Sequence, residues 1–204
     1  MTTEAFPFLS CPLDALPLHF SGAGWRCPEG HCFDIAREGY VNLLPVQHKR
    51  SLDPGDSKSM VMARRRYLGS GIYAPIAALV ARHALGARAE GAALACLDAG
   101  CGEGYYLREL EAAAGERSLS IIGLDISKWA VQAAARAMPA ARWVVGSNAR
   151  LPVPDASIDC LLCLFGFPVY PEFARVLRAQ GLLLQVDAGP DHLRELREII
   201  YPVL

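Results

Sequence analysis

The sequence lacks the features that mark membrane or exported proteins. No apolar run approaches the ~20 residues that a membrane-spanning helix needs. The N-terminal stretch MTTEAFPFLS has no basic segment followed by an apolar one, as an export signal would. Neither sign of charge is in excess, since 20 Lys and Arg oppose 21 Asp and Glu. We therefore expect a globular chain without membrane contact. The charge balance leaves nucleic acid open as a partner, because distribution matters more than total.

The sequence also lacks the even number of cysteines that a full set of disulfide bonds requires. Seven are present, and an odd number argues against a disulfide framework and for a reducing, cytoplasmic location. Four of them fall in or beside predicted strands, where we expect small buried residues rather than ligands: Cys96, Cys101, Cys160 and Cys163. Cys160 and Cys163 have redox spacing, but redox pairs lie at helix starts rather than within strands.

The chain divides into three segments, enough for one full domain plus a small one. Residues 1–45 are dense in Pro, Gly, Cys and aromatics, and so short a segment needs a staple such as a metal ion. Residues 46–70 form a basic connector and a helix that starts near Asp56 or Ser57. Residues 71–204 begin with a helix from about Tyr73 to Leu85 and continue as a larger domain.

From residue 94 onward, predicted strands and helices alternate. The five strands are ALACLDAG, LSIIGLDI, ARWVVGS, IDCLLCLFG and GLLLQVDAG. Nearly continuous apolar strands are typical of a parallel sheet with helices on both faces. We therefore predict an α/β, doubly wound, Rossmann-like domain.

A glycine-rich turn follows the first of these strands. Gly100, Gly102 and Gly104 let a ligand approach bare backbone. A dinucleotide site would have the spacing G-x-G-x-x-G, whereas this turn is G-x-G-x-G. The preceding Asp98 would repel a pyrophosphate and suits a ligand with a cationic amino group. A nicotinamide-binding domain is the alternative.

Two later loops complete the predicted ligand site. Asp125 ends the second strand, about 25 residues downstream, where a carboxylate can accept hydrogen bonds from ribose hydroxyls. Asn148 and Ala149 follow the third strand and could meet an adenine edge. Asp125 could instead only cap the next helix, and Asn148 could be only a turn residue. LDAGCGEG, GLDIS and the LPVPDASID run together resemble the class I S-adenosylmethionine-dependent methyltransferases.

The front segment carries a metal-like pattern. Cys11-x2-Asp14 and Cys27-x3-His31 are two close pairs that can surround one tetrahedral zinc ion. Aspartate is a harder ligand than thiolate and lowers zinc affinity. Cys32 could replace Asp14, or the module could fold without metal. His19 is expected to be an exposed loop residue.

The whole chain resembles the bacterial 23S rRNA guanine-N1 methyltransferases. The resemblance is carried by FDIAREGYVNLLPVQHKRSLDPGDSKSMVMARR, LDAGCGEGYY, GLDISKWAV and GPDHLRELREIIY. It implies methyl transfer from S-adenosylmethionine to N1 of a guanine in a 23S rRNA hairpin. It also implies that Cys11, Cys27 and His31 bind zinc, although Asp14 stands where the family has its second cysteine. The residues it implies for the cofactor site are Tyr73, Gly104, Tyr105, Asp125, Asn148, Ala149 and His192.

The target base must leave its pair or its stack, because N1 of guanine lies on the Watson–Crick edge. Phe165, Phe167 and Tyr170 follow the fourth strand and could stack on that base, or they could be ordinary packing. The sequence does not identify a general base. We expect RNA phosphates to be bound by the front module and by basic residues of the connector and first helix: His48, Lys49, Arg50, Arg64, Arg65 and Arg66.

The full methyltransferase fold has two further strands after the fifth, and the sequence shows none. We therefore expect a domain truncated at its C-terminus with an exposed sheet edge, and hence reduced stability, a homodimer through that edge, or both. Two other functions stay open. One is a catalytically silent RNA- or protein-binding relative that retains the cofactor pocket, and the other is a small-molecule methyltransferase.

Overall fold

The computed structural model describes residues 2–22, 24–48 and 51–201. Lys49 and Arg50, which we expected to contact RNA, lie outside these ranges. Every helix within them is too short or too polar to span a bilayer.

A parallel sheet of seven strands forms the centre of the fold. Its strands are β1 (Thr2–Ala5), β6 (Tyr40–Asn42), β7 (Leu94–Ala99), β8 (Ser118–Asp125), β9 (Arg142–Val145), β10 (Ile158–Leu164) and β11 (Leu177–Val186). The order is β11-β10-β7-β8-β9-β6, and β1 pairs with β8. Strands β7 and β10 are buried along their whole length. The predicted doubly wound α/β fold is confirmed.

Within the described ranges, six α-helices connect or flank these strands. They are α1 (Lys58–Leu68), α2 (Ala74–Leu85), α3 (Tyr105–Ala113), α4 (Lys128–Ala137), α5 (Tyr170–Val176) and α6 (Arg194–Ile200). The hydroxyl of Ser57 accepts a hydrogen bond from the amide of Met60 and starts α1. Ser127 starts α4 in the same way, through the amide of Ala130. Hydroxyl caps of this kind satisfy amides that the first helical turn leaves free.

Two strands of the sheet come from the segment expected to form the separate front module. Strand β1 pairs with the first half of β8, from Ser118 to Ile121, and β9 pairs with its second half. Strand β6 extends the far edge of the sheet beside β9. The predicted boundary at residue 45 therefore does not separate two independent units.

The remainder of that segment is a small antiparallel sheet, here called the ribbon. It consists of β2 (Leu9–Ser10), β3 (Pro17–Ser21), β4 (Gly24–Arg26) and β5 (Cys32–Asp34), paired in that order. The ribbon shares a hydrophobic core with one face of the main sheet, in which Trp25 and Leu9 pack with residues of β7 to β10. The guanidinium of Arg142 lies 4.8 Å from the centre of the Trp25 ring. The ribbon is therefore packed firmly on the sheet.

The four cysteines expected in the core are buried. Cys96, Cys101, Cys160 and Cys163 are all at most 5% exposed. Cys96 and Cys160 are register partners on β7 and β10. A hydrogen bond with Cys160, together with burial, raises the pKa of Cys96 well above its usual value. These buried cysteines act as small apolar groups in the core.

Candidate functional site

The glycine turn lies between β7 and α3, at the carboxyl end of the sheet. Gly100 has φ 101°, and a Cβ there would point into open space. Gly104 has φ 79°, and a Cβ there would lie 2.6 Å from the Trp143 ring. Gly100 thus keeps the surface of the turn open to a ligand, and Gly104 lets α3 pack closely on the sheet.

A cleft opens above this turn in two halves of about 360 and 340 Å³. Arg64, Gly100 and Phe165 line both halves. Of the predicted cofactor residues, Tyr73, Gly102, Tyr105 and His192 line one half, and Asp125, Asn148 and Ala149 line the other. Two halves of this size together suit one nucleoside-containing ligand. The structure therefore brings these predicted residues to one cleft.

Asp98 is buried at the end of β7, 1% exposed. Neither of its carboxylate oxygens has a hydrogen-bond partner among the described residues. Burial, and secondarily the nearby Asp125 carboxylate, raises the pKa of Asp98 to about 8. An unpartnered buried carboxyl group is costly, and a cationic group of a ligand would relieve that cost. This residue fits the ammonium group of S-adenosylmethionine.

Asp125 is held by backbone amides at the end of β8. It accepts hydrogen bonds from Gly102 at 2.9 Å and from Ser127 at 2.8 Å. Burial is the largest influence on its pKa, which is raised despite these two bonds. The bonds fix the carboxylate facing the cleft, so Asp125 can accept from ligand hydroxyls in addition to shaping the turn.

Asn148 has a structural role beside its place in the cleft. Its side-chain amide donates to the carbonyls of Ala99, at 3.3 Å, and Phe167, at 3.1 Å. These bonds tie the ends of β7 and β10 together. The amide N–H groups are thus used within the protein, and Ala149 is its neighbour in the lining.

Aromatic side chains form the wall of the cleft opposite the turn. The Tyr73 ring contacts both Tyr67 and Phe165 edge to face, with ring centres 5.7 Å apart in each of these two pairs. Phe165 has φ 55°, unusual for a residue other than glycine. No motif in the sequence indicates this conformation, which lies just after β10, and the next aromatic along the chain, Phe167, is 89% exposed.

The loop before α1 forms one rim of the cleft, and sequence reasoning missed it. The Ser127 hydroxyl donates to the Asp56 carbonyl at 2.7 Å, and the Trp129 indole donates to Asp53 at 2.7 Å. Asp56 also pairs with Arg64. The sequence predicts RNA contacts for Arg64, Arg65 and Arg66 alike. The structure separates them, because only Arg64 lines the cleft.

The ribbon brings together the four predicted metal ligands. One donor atom each from Cys11, Asp14, Cys27 and His31 lies within 4.8 Å of the others. The Asp14 carboxylate is 3.0 Å from both the Cys27 sulfur and His31 Nδ1. Two thiolates, an imidazole and a carboxylate in this compact arrangement fit a closed, structural zinc site.

Two alternatives for this site are settled by geometry. Cys32 is exposed and donates to the Gly30 carbonyl at 3.4 Å, away from the cluster. His19 is exposed on β3 and also lies outside it. Asp14 is therefore the residue that completes this cluster of four potential donors. Its pKa is lowered to about 2, first by the hydrogen bond from Cys27, while burial raises the pKa of Cys27 to about 11. Metal binding would release the thiol proton.

Two family models match different parts of the chain. Residues 9–52 match the zinc-ribbon family described as RlmA, N-terminal. Residues 96–184 match a methyltransferase domain. A solved structure from Methanococcus maripaludis, provisionally assigned as an S-adenosyl-L-methionine-dependent methyltransferase, superposes with a TM-score of 0.54 at 20% identity. It covers 76% of this chain and 77% of that one, and it shows the shared fold.

Curated relatives match across both parts. A Streptomyces fradiae protein named 23S rRNA (guanine(748)-N(1))-methyltransferase is 41% identical, covering 96% of this chain and 69% of the relative. A Micromonospora griseorubida protein, provisionally named a 23S rRNA (guanine-N(1)-)-methyltransferase, is 39% identical over 96% of this chain and 70% of its own length. A Bacillus subtilis relative with the same provisional name is 34% identical over 98% and 71%. The chain therefore belongs to the family of 23S rRNA (guanine-N1) methyltransferases.

Proposed function

We propose that this protein transfers a methyl group from S-adenosylmethionine to N1 of a guanine in a 23S rRNA hairpin. The observation that carries the proposal is the presence in one chain of the zinc ribbon and the cofactor cleft, with identity to the relatives extending over both. A small-molecule methyltransferase would need the cleft and not the ribbon.

S-adenosylmethionine supplies a methyl group that is already activated on a sulfonium. The protein's part is to orient it and to exclude competing acceptors. In the proposed arrangement Asp98 holds the ammonium group, Asp125 the ribose hydroxyls and the Asn148–Ala149 stretch the adenine. The unpartnered oxygens of Asp98 and the fixed carboxylate of Asp125 support these roles.

The guanine would enter beside Phe165 and Phe167. N1 becomes reachable only when the base is unpaired, and an extruded base needs a surface on which to stack. Phe167 is almost fully exposed, and Tyr170, 56% exposed, donates its hydroxyl to Gln185 at 3.1 Å. We propose Phe167 as the main stacking surface. Arg65 and Arg66, exposed on α1, would contact phosphates.

The test is methyl transfer itself. The purified chain is incubated with tritiated S-adenosylmethionine and 23S rRNA from a strain without the family enzyme, and labelled nucleosides are mapped. Label in 1-methylguanosine that is absent with Asp98→Asn supports the proposal. Absence of label in a chain that binds S-adenosylhomocysteine would contradict it and favour a silent, RNA-binding relative.

We further propose that the protein acts in the cytoplasm as a homodimer. Within the described residues the outer edge of β11 has no strand partner, and α6, the next helix along the chain, exposes Leu196, Ile199 and Ile200. An unpaired edge and exposed apolar side chains each favour association. Light scattering after gel filtration should give twice the chain mass, and a monomer at micromolar concentration would contradict the dimer.

A further inference from the structure

The cleft contains more acid than base. Asp56, Asp125 and Glu103 line it, and Asp98 is buried two residues before Gly100, which also lines it. Glu103 is neutralised by Arg108, whose guanidinium lies 2.9 Å from the carboxylate. Among the described residues that line the two halves, Arg64 is the only lysine or arginine. A ligand carboxylate entering this cleft therefore meets one permanent cation.

The backbone of the glycine turn offers little to such a carboxylate. The amides of Gly100 and Cys101 both donate to the Leu124 carbonyl, at 2.8 and 2.9 Å. The Gly102 amide donates to Asp125, and the Gly104 amide donates to Cys101 at 2.9 Å. These four amides hold the turn in shape, so they are not available to an anion, and a cationic side chain is its strongest partner.

Arg64 is placed to be that partner. It lines the half of the cleft that contains Tyr73 and His192 as well as the half that contains Asn148. Its guanidinium pairs with Asp56, whose carbonyl is fixed by Ser127, so the loop sets the position of the arginine. A guanidinium has five N–H donors, and pairing with Asp56 leaves others free. The side chain is 53% exposed and can meet a ligand.

We propose that Arg64 binds the α-carboxylate of S-adenosylmethionine and so positions the cofactor, rather than contacting RNA phosphate. This rests on the proposed function, because it takes that cofactor as the occupant of the cleft. Asp98 and Arg64 would then bind the two opposite charges of the same amino-acid group. A guanidinium suits this task because it binds a carboxylate through two parallel hydrogen bonds.

Calorimetry on the full chain tests the assignment with two ligands: S-adenosylhomocysteine and its decarboxylated analogue, in which hydrogen replaces the carboxylate. The wild type should bind the analogue about 10- to 100-fold more weakly, as expected for a charged hydrogen bond. Arg64→Ala should weaken S-adenosylhomocysteine by a similar factor and leave the analogue unchanged. Arg64→Lys should fall between. Arg65→Ala, the matched control outside the cleft, should alter neither.

Several results would overturn it. Equal wild-type affinity for the two ligands would do so even if Arg64→Ala failed to fold. The proposal would also fail if the affinity losses caused by Arg64→Ala and by decarboxylation multiplied when the two were combined. Independent effects would mean that the arginine and the carboxylate are not in contact. Loss of rRNA hairpin affinity with unchanged S-adenosylhomocysteine affinity would make Arg64 an RNA contact. If the wild type bound neither ligand, the cleft would not be a cofactor site and the proposal would fail with it. Binding without rRNA methylation would contradict the proposed function alone, and the comparison of ligands would still decide Arg64.

Discussion

The zinc cluster and the cofactor cleft are built on opposite plans. All four donors of the cluster come from residues 11–31, and each lies against another donor. The cleft takes its residues from the loop before α1, from the ends of β7, β8, β9 and β10, and from near α6. Next to the glycine turn, Asp98 has no hydrogen-bond partner among the described residues. The donors of the cluster thus lie close in sequence and contact one another, whereas the residues of the cleft come from distant parts of the chain. Next to the cleft, the Asp98 carboxyl group stays buried at an energetic cost that a ligand would relieve.

The largest expected effect comes from removing a ligand of the cluster. Cys27→Ser should reduce bound zinc from about one ion per chain to almost none, because a structural site needs all four donors. Metal content by mass spectrometry after gel filtration measures this. Cys32→Ser is the matched control, since that thiol is exposed and outside the cluster. If Cys27→Ser retained zinc and Cys32→Ser lost it, the zinc ligand would be Cys32 rather than Cys27.

The second effect concerns the unpartnered acid. Asp98→Asn should weaken S-adenosylhomocysteine binding about 10- to 100-fold, because the ammonium loses its counter-charge. In the wild type the pKa of Asp98 is about 8 in the free protein. A cationic ligand lowers it, so binding releases a proton and affinity should rise between pH 6 and 8, by at most about tenfold per pH unit.

Calorimetry in buffers of different ionisation enthalpy measures this proton release. Asp98→Asn should abolish both the release and the pH dependence. Affinity that falls as pH rises over this range would contradict the pairing of Asp98 with the ammonium.

A smaller effect sharpens the chemistry of the cluster. Asp14→Cys should tighten zinc binding, on the order of tenfold, because thiolate is the softer ligand. Competition with a chromophoric chelator measures the affinity. Unchanged affinity would mean that Asp14 does not bind the ion.

The smallest effect tests how far the rim supports the cleft. Trp129→Phe removes the 2.7 Å hydrogen bond to Asp53 at an exposed position. We expect a loss of about 1 kcal/mol in the free energy of unfolding and a change of about two- to threefold in cofactor affinity, measured by urea unfolding and calorimetry. A loss of affinity above tenfold would mean that the rim itself is part of the ligand site.

Sequence reasoning succeeded where the signal is local. The apolar strands from Leu94 onward, the glycine turn and the Cys11 to His31 spacing each specify their structure within a few residues. It failed where partners are distant. Strands β1 and β6 are four and three residues long, too short to show a period, and their partners are about a hundred residues away. Arg64 looked like its neighbours because only the contact of Asp56 with Ser127 directs it to the cleft.

The pairing of β1 with β8 affects how the chain folds while it is being synthesised. Thr2 aligns with Ser118, so β1 leaves the ribosome long before the residues that pair with it have been made. The ribbon has all its metal ligands by His31 and can close around zinc much earlier. Because domains fold from the N-terminus as synthesis proceeds, the nascent chain would carry a finished ribbon between two unpaired strands. Slow translation before residue 118 would lengthen the time during which β1 is open to wrong partners.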